Sequence, residues 1–123
     1  MIKNLLLVGL GGATGSMLRY LCQKWIGPFG SDGFPFGTFT VNVIGCLLIG
    51  FFYGLATKSP SFTKEMQFLL MTGLCGGFTT FSAFTQDGLM LLQQQRVTVF
   101  FLYFGASVLL GLGATMLGFL AGR

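Results

Sequence analysis

The chain has 123 residues, of which 53% are hydrophobic and only 8% are charged, with seven Lys or Arg against three Asp or Glu. A soluble domain carries roughly 25% charged residues, so this composition indicates a membrane protein. The chain has no histidine, and its only acids are Asp32, Glu65 and Asp87. This leaves almost no side chains for acid–base catalysis or for a metal site, and we expect no enzyme.

The basic residues stand singly along the chain, whereas a nucleic-acid site needs them clustered on one face. We therefore expect no nucleic-acid partner and interpret these residues as anchors at the surface of membrane lipid. The three cysteines, Cys22, Cys46 and Cys75, lie in separate apolar stretches without the paired spacing of a zinc or redox motif. We interpret them as small buried hydrophobic residues.

Four apolar stretches are long enough to cross a membrane, since a transmembrane helix needs about 20 apolar residues. The predicted spans are 4–25, 38–57, 64–92 and 97–121. The connection GPFGSDGFPFG at 27–37 breaks any helix, and Ser61 or Thr63 is placed to cap the third span with Glu65 in its first turn. The first stretch also resembles a signal peptide, but cleavage would leave three spans and no exported domain, so we expect it to remain. The prediction is one all-α integral membrane domain, 1–123.

The basic residues are almost balanced between the two sides of the membrane. If the spans cross in turn, one side carries four of them and the other carries two or three: Lys3, Lys58, Lys64 and Arg123 against Lys24, Arg96 and the nearby Arg19. The positive-inside rule responds to such differences in short loops, and this difference is small. The balance favours a dual-topology protein that pairs as an antiparallel homodimer, although a weak bias also occurs in proteins of single topology.

Glycine accounts for 20 of the 123 residues. Much of it lies at small-xxx-small spacing inside the spans: Gly11 and Gly15, Gly50 and Gly54, with Gly105, Gly111, Gly113 and Gly118 along the fourth span. Such spacing lets helix backbones approach closely in lipid. We therefore expect tightly packed spans at these positions.

The third span contains two adjacent glycines followed by two adjacent threonines, at Gly76, Gly77, Thr79 and Thr80. These are poor helix formers, at a depth where irregular backbone is tolerated only if it is buried in protein or lines a cavity. The pattern predicts a broken third helix near 76–80, whose carbonyl groups can hold a cation. The alternative is a continuous helix with a Gly-Gly packing notch and threonines bonded to their own turn.

Aromatic and hydroxyl side chains alternate beside the predicted break. Phe78, Phe81 and Phe84 are spaced by three, and hydroxyl residues lie between and after them: Thr79, Thr80, Ser82 and Thr85. A phenyl ring has a positive edge, so ring edges and hydroxyl donors together suit an anion. The alternative is a stripe of packing or lipid-facing residues.

Polar residues also mark the other spans. Thr38 and Asn42 share one face of the second span, and a hydroxyl stripe follows the fourth: Tyr103, Ser107 and Thr115, with Gly111 in the same series. The amide of Asn42 either joins helices or offers two donors to an anion. Arg19 and Asp87 are charges in or near the membrane and are functional candidates. The alternatives are snorkelling of Arg19 to the headgroups and a simple interfacial position for Asp87.

Three segments carry a resemblance to a known family: GGATGSMLRY at 11–20, GTFTVNVIG at 37–45 and GLCGGFTTFSAF at 73–84. Through them the chain resembles the Fluc (CrcB-like) family of bacterial fluoride channels along its whole length. The resemblance implies an antiparallel homodimer of four-helix subunits with two anion pores in the bacterial plasma membrane. It implies a fluoride-selective channel that exports fluoride passively and protects against fluoride toxicity.

The resemblance also implies roles for particular residues. Asn42 is then the pore asparagine, and Phe81 and Phe84 are the paired pore phenylalanines whose ring edges face fluoride. Gly76 and Thr79 supply backbone carbonyls to a structural sodium ion (Na+) at the dimer centre. The remaining matches are Thr38, Ser82, Tyr103 and Ser107 in the polar pore lining and Arg19 near the aqueous vestibule. Three positions depart from the family pattern: Ala83 where a hydroxyl residue is usual, Asp87 where Glu is usual, and Gly111 where Ser is often found.

Two other function classes deserve comparison. A small four-helix multidrug exporter is also short and can have dual topology, but it needs an acidic residue in its first span, and residues 4–25 contain none. A structural membrane subunit that packs beside a larger partner is compatible with the glycine-rich faces. Such a subunit would not require the hydroxyl stripe or the broken third span.

Overall fold

The computed structural model describes residues 1–27 and 30–123, which form helices and connections without any strand. Four helices in this part of the chain are long and apolar enough to cross a membrane: Ile2–Ile26, Phe36–Lys58, Lys64–Gln93 and Val97–Gly122. We call these the first to fourth spans. The all-α prediction with four membrane-spanning helices is confirmed. Pro28 and Phe29, in the connection expected to break the helix, lie outside the described residues.

The third span changes its helical form along its length. It starts as α-helix at Lys64–Gln67, continues as π-helix at Phe68–Cys75, returns to one α-helical turn at Gly76–Phe78 and ends as α-helix at Phe81–Gln93. Between the last two segments, Thr79 and Thr80 have extended backbone, with φ and ψ of −81° and 157° and of −146° and 122°. Extended backbone suits β-branched side chains.

The irregular backbone covers fewer residues than the sequence predicts, because Gly76 and Gly77 are helical. A Cβ atom on Gly77 would lie 2.5 Å from Gly12 O of the first span, so this glycine permits close packing. The hydroxyl of Thr79 donates to Cys75 O at 2.9 Å, within its own turn. The packing notch and the back-bonded threonine of the alternative interpretation are therefore both present, next to two extended residues that it does not predict.

The cap of the third span is Thr63, one of the two residues proposed from the sequence. Its hydroxyl accepts a hydrogen bond from Met66 N at 3.3 Å, which satisfies one of the donors at the start of the helix. Glu65 lies in the first turn and is 3.8 Å from Lys3 Nζ. This contact brings the starts of the first and third spans to the same side of the bundle.

The opposite side of the bundle is joined by Arg96, in the link before the fourth span. Its guanidinium donates to the backbone oxygen of Asp32, in the connection between the first and second spans. The two connections therefore lie on one side, as expected if the four spans cross the membrane in turn.

The second and fourth spans pack against each other through glycines on both helices. A Cβ atom on Gly50 would lie 2.0 Å from Thr115 O, and one on Gly118 would lie 2.1 Å from Leu47 O. The arrangement repeats one turn further along each helix with two more glycines, Gly54 and Gly122. Each span thus places a small-xxx-small stripe against the other's backbone, which is how helices approach closely in lipid.

The first span packs in the same way on the π-helical part of the third. Cβ atoms on Gly11 and Gly15 would each lie 2.2 Å from a backbone oxygen of that segment. Close packing is thus confirmed at five of the glycines predicted from spacing: Gly11, Gly15, Gly50, Gly54 and Gly118. It is wrong for Gly105 and Gly113, which have nothing within 4 Å, because their side of the fourth span is not covered by another described helix. Gly111 makes only ordinary contact, 3.4 Å from Cys46 Sγ.

All three cysteines are free thiols. Cys75 is buried, whereas Cys22 and Cys46 are half-buried, so the prediction of buried cysteines holds fully at Cys75 alone.

Candidate functional site

A cavity of about 440 Å³ opens between the second, third and fourth spans, beside the extended residues. Six of the predicted site residues line it: Asn42, Gly76, Thr79, Phe81, Phe84 and Ser107. Other small or apolar residues complete the lining, among them Gly45, Cys46, Ile49, Met71 and Val108. None of its described lining residues has a charged side chain. The cavity is therefore an apolar space with a few polar groups.

The side-chain amide of Asn42 forms two hydrogen bonds with the backbone of Thr80. Asn42 Nδ2 donates to Thr80 O at 3.0 Å, and Asn42 Oδ1 accepts from Thr80 N at 2.8 Å. This pair fixes which way the amide is turned, since a backbone N–H only donates. Asn42 thus joins the second span to the third and keeps one further N–H on an amide group that borders the cavity.

Two backbone N–H groups near the extended residues donate to side chains. In a continuous helix they would donate to backbone carbonyl oxygens. In an α-helix the N–H of residue i+4 donates to the carbonyl of residue i. The Thr80 N–H, which would reach Gly76 O, is donated to Asn42 instead. The Ala83 N–H, which would reach Thr79 O, is donated to Thr80 Oγ1 at 3.1 Å. Gly76 and Thr79, the residues assigned to sodium by resemblance, are therefore among those whose carbonyls lose their helical donors. Uncharged oxygen ligands suit a hard cation.

The two predicted pore phenylalanines have very different surroundings, although their ring centroids are only 5.8 Å apart. Phe81 is 75% exposed, whereas Phe84 is 8% exposed. The Phe84 ring stacks on Phe104 at 4.2 Å and meets Tyr103 at 5.1 Å. Phe78 is buried and does not line the cavity. It does not continue the predicted stripe, because the extended residues between Phe78 and Phe81 interrupt the helical spacing.

The three hydroxyl groups of the predicted stripe on the fourth span differ in their hydrogen bonding. Tyr103 donates to Asp87 Oδ2 at 3.2 Å, and Thr115 donates to Gly111 O of its own helix at 3.0 Å. Ser107 Oγ is buried and has no hydrogen-bond partner among the described residues. The predicted stripe is therefore interrupted, and Ser107 is its one hydroxyl left for a ligand within this part of the chain.

Thr38 lies outside the cavity lining, at a second polar contact. It is buried, and its hydroxyl accepts from Gln23 Nε2 of the first span at 3.3 Å. Gln23 is not among the residues predicted from the sequence, although a lone amide in an apolar stretch is the signal that points to it. Phe34, also missed, covers the buried Tyr103 with its ring at 5.5 Å, and no local pattern in the sequence indicates that contact.

Arg19 and Ser82 also lie outside the cavity lining. Arg19 Nε donates to Gly77 O at 3.1 Å, so its side chain turns toward the third span, which is not the direction that snorkelling predicts. Ser82 is exposed, and its hydroxyl lies 3.3 Å from Thr80 Oγ1.

Comparison with known proteins gives consistent results. Residues 6–119 match the family described as CrcB-like protein, Camphor Resistance (CrcB). The chain is similar to the "Fluoride-specific ion channel FluC" of Flavobacterium psychrophilum, with 43% identity over 122 residues that cover 99% of this chain and 98% of that protein. It is 49% identical to the protein of the same name from Phocaeicola vulgatus over 117 residues, which cover 95% and 96% of the two chains. The same-named protein of Methylobacillus flagellatus is 46% identical over 117 residues, with 94% and 91% coverage.

Proposed function

Because this chain belongs to the CrcB-like protein family, we propose that it is a fluoride-selective channel. It is a multi-pass protein of the bacterial plasma membrane, with four apolar helices long enough to cross it. The relatives are named as ion channels, and this chain is a channel rather than an enzyme. It exports fluoride passively and so protects the cell against fluoride toxicity.

The observation that carries the proposal is the buried hydroxyl of Ser107. Its Oγ is buried without a partner among the described residues, and Ser107 is one of the residues that line a cavity together with Asn42, Phe81 and Phe84. Burying a hydroxyl without a hydrogen bond is unfavourable, so such a group in a cavity indicates a ligand that accepts from it. A small anion is the ligand that hydroxyl, amide and ring-edge donors have in common.

The donors in the cavity also suit passage of the anion rather than tight binding. A fluoride ion that enters must exchange its water for other partners, and the described lining offers only uncharged donors. Several weak contacts permit exit as well as entry, which conduction demands. A cationic side chain at the same place would favour a trapped ion.

A second copy of the chain would complete the pore. Phe81 borders the cavity but is 75% exposed, so most of its ring is left uncovered by the described part of its own chain. An antiparallel homodimer would cover this ring, and the near balance of basic residues across the four spans is compatible with insertion in both orientations. In this arrangement Phe81 of one copy serves a pore shared with the other.

A structural sodium ion at the dimer centre is part of the same proposal, with the extended residues acting as a functional break in the third span. Gly76 and Thr79 would hold it through their carbonyl oxygens, whose helical donors are taken by Asn42 and Thr80. When bound, the ion supplies a fixed positive charge that stabilises these carbonyl groups next to the pores.

Reconstitution in liposomes tests the function. Purified protein in potassium fluoride-loaded liposomes, with the potassium counter-flux provided by valinomycin, should release fluoride to an external fluoride electrode, and protein-free liposomes should not. Equal release of chloride from chloride-loaded liposomes would contradict fluoride selectivity. Absence of any anion release would contradict the channel itself.

A further inference from the structure

We propose that Asn42 is a positioning residue that holds Thr80 in its extended conformation, while Arg19 binds the backbone just before it. Together they keep the third span from closing into a continuous helix. The inference deepens the proposed channel function and rests on it for its consequence in conduction.

The double hydrogen bond between Asn42 and Thr80 is specific for extended backbone. In an extended residue the N–H and the C=O point to the same side, as they do where two antiparallel strands exchange both hydrogen bonds. In an α-helix the N–H and the C=O of one residue point in opposite directions along the axis. A single planar amide can therefore bind both groups of Thr80 only while that residue is extended. The observed φ of −146° and ψ of 122° meet this condition.

The alternative state is a helix in which Thr80 N–H donates to Gly76 O. If the Asn42 amide were absent, the Thr80 N–H would lose its partner at a depth where an unpaired backbone group is costly. Closing the helix would satisfy that group again. Asn42 thus shifts the balance toward the extended state by giving Thr80 the hydrogen bonds it would otherwise find in the helix.

Arg19 acts on the neighbouring carbonyl. In a continuous helix Gly77 O would accept from Phe81 N–H, which the extended residues move out of register. Arg19 Nε provides a donor to Gly77 O at 3.1 Å instead. Side chains from the first and second spans therefore replace helical hydrogen bonds at two successive steps of the third span.

The consequence for the proposed pore is pre-organisation. With Thr80 held by two bonds, the Asn42 amide is fixed in one plane, and its remaining N–H keeps a constant direction beside the cavity. The same bonds divert the donor that would cover Gly76 O. Removal of Asn42 is thus expected to change the backbone of the third span as well as remove one pore donor.

The test compares Asn42→Leu, which keeps the size of the side chain, with Ser107→Ala, which removes a cavity donor that touches no backbone of the third span. Solid-state NMR of threonine-labelled protein in bilayers reports the ¹³Cα and ¹³Cβ shifts of Thr79 and Thr80, and fluoride efflux is measured in parallel. We expect extended-type shifts for both threonines in the wild type and in Ser107→Ala, and a change toward helical values in Asn42→Leu. Arg19→Met should move the shifts in the same direction. Efflux should fall in all three variants.

Unchanged threonine shifts in Asn42→Leu with reduced efflux would overturn the inference and leave Asn42 as a pore donor alone, without harm to the proposed channel. Absence of fluoride efflux in the wild type would overturn the proposed channel function. The threonine chemical shifts would still test whether Asn42 positions Thr80. If the variants do not fold, the wild type decides: its Thr80 amide proton should show a through-space correlation to the Asn42 side-chain amide. Absence of that correlation would overturn the inference.

Discussion

Tyr103 Oη lies 3.2 Å from Asp87 Oδ2 and donates a hydrogen bond to it, which joins the fourth span to the last segment of the third. Tyr103 is fully buried, with its ring against Phe84 and Phe34. By the resemblance described above, Asp87 stands at a position where the family usually has the longer glutamate. The contact shows that the shorter acid still reaches a partner, and that this partner is next to a predicted pore phenylalanine.

Replacing Tyr103 with Phe removes this hydrogen bond and little else. We expect the free energy of unfolding in detergent to fall by about 1–3 kcal/mol, because a partly buried carboxyl group loses its donor. Fluoride efflux should also fall, because the hydrogen bond to Asp87 anchors the Tyr103 ring on which Phe84 packs. Tyr53→Phe is the matched control, because Tyr53 is 54% exposed. Equal stability of the two variants would contradict a role for the Tyr103–Asp87 contact.

The two proposed pore phenylalanines, Phe81 and Phe84, should respond differently to replacement by Ile, which keeps an apolar side chain but deletes the ring edge. Efflux should fall sharply in both variants, because both lose a positive edge that can face the anion. Stability should fall mainly in Phe84→Ile, which loses stacking on Phe104, a contact of the kind that contributes about 0.5–1.5 kcal/mol beyond burial. Phe101→Ile is the control, since Phe101 is 66% exposed on the fourth span. Near-normal efflux in both pore variants would show that these rings serve packing only.

Ser107→Ala should separate function from stability. Deleting a buried hydroxyl that has no partner is expected to leave the free energy of unfolding unchanged or to raise it by about 1–3 kcal/mol. Efflux should nevertheless fall, because the cavity loses a donor. Thr115→Val serves as the comparison, since the Thr115 hydroxyl is already bound within its own helix, and its efflux should stay near the wild-type value. A Ser107→Ala variant that conducts normally would remove the observation on which the anion site depends.

Gly118 and Gly113 provide a paired test of helix packing. A Cβ atom on Gly118 would lie 2.1 Å from Leu47 O, whereas one on Gly113 would meet no atom of the described residues within 4 Å. Gly118→Ala must push the second and fourth spans apart, and overpacking of this kind costs about 1–3 kcal/mol or more. Gly113→Ala should be neutral or slightly stabilising, because Ala is the better helix former by about 1 kcal/mol. Thermal unfolding of the two variants checks this, and an equal loss in both would indicate that a partner covers Gly113.

Added positive charge should test the antiparallel dimer. Gln93→Lys together with Gln94→Lys adds two charges to the link before the fourth span, which should force one orientation under the positive-inside rule. Efflux from cells should then fall and should recover when a copy with Ser59→Lys and Ser61→Lys, biased the opposite way, is co-expressed. Gln93→Asn with Gln94→Asn is the uncharged control, and a fluorescent C-terminal fusion reports orientation. Full efflux from a population with a single orientation would contradict antiparallel pairing.

The features that the sequence predicted correctly depend on residues near one another in the chain. The four spans follow from runs of apolar residues, and the cap at Thr63 follows from a hydroxyl side chain two residues before Glu65. The extended residues Thr79 and Thr80 lie inside the window 76–80 that local helix propensity marks as weak, although Gly76 and Gly77 in the same window are helical. The stripes at Gly11 and Gly15 and at Gly50 and Gly54 were also visible as spacing.

Only the tertiary structure decided how these elements meet. Asn42 and Thr80 are 38 residues apart, and nothing in either segment indicates that the amide binds extended backbone rather than another helix or an anion alone. The burial of Phe84 and the exposure of Phe81 depend on how the end of the third span is turned relative to the fourth. Gly113 and Gly118 lie on the same helix but have different neighbours for the same reason. Hydropathy predicts that a helix enters the membrane, but its rotation about its own axis is determined by the side chains and backbones that pack against it.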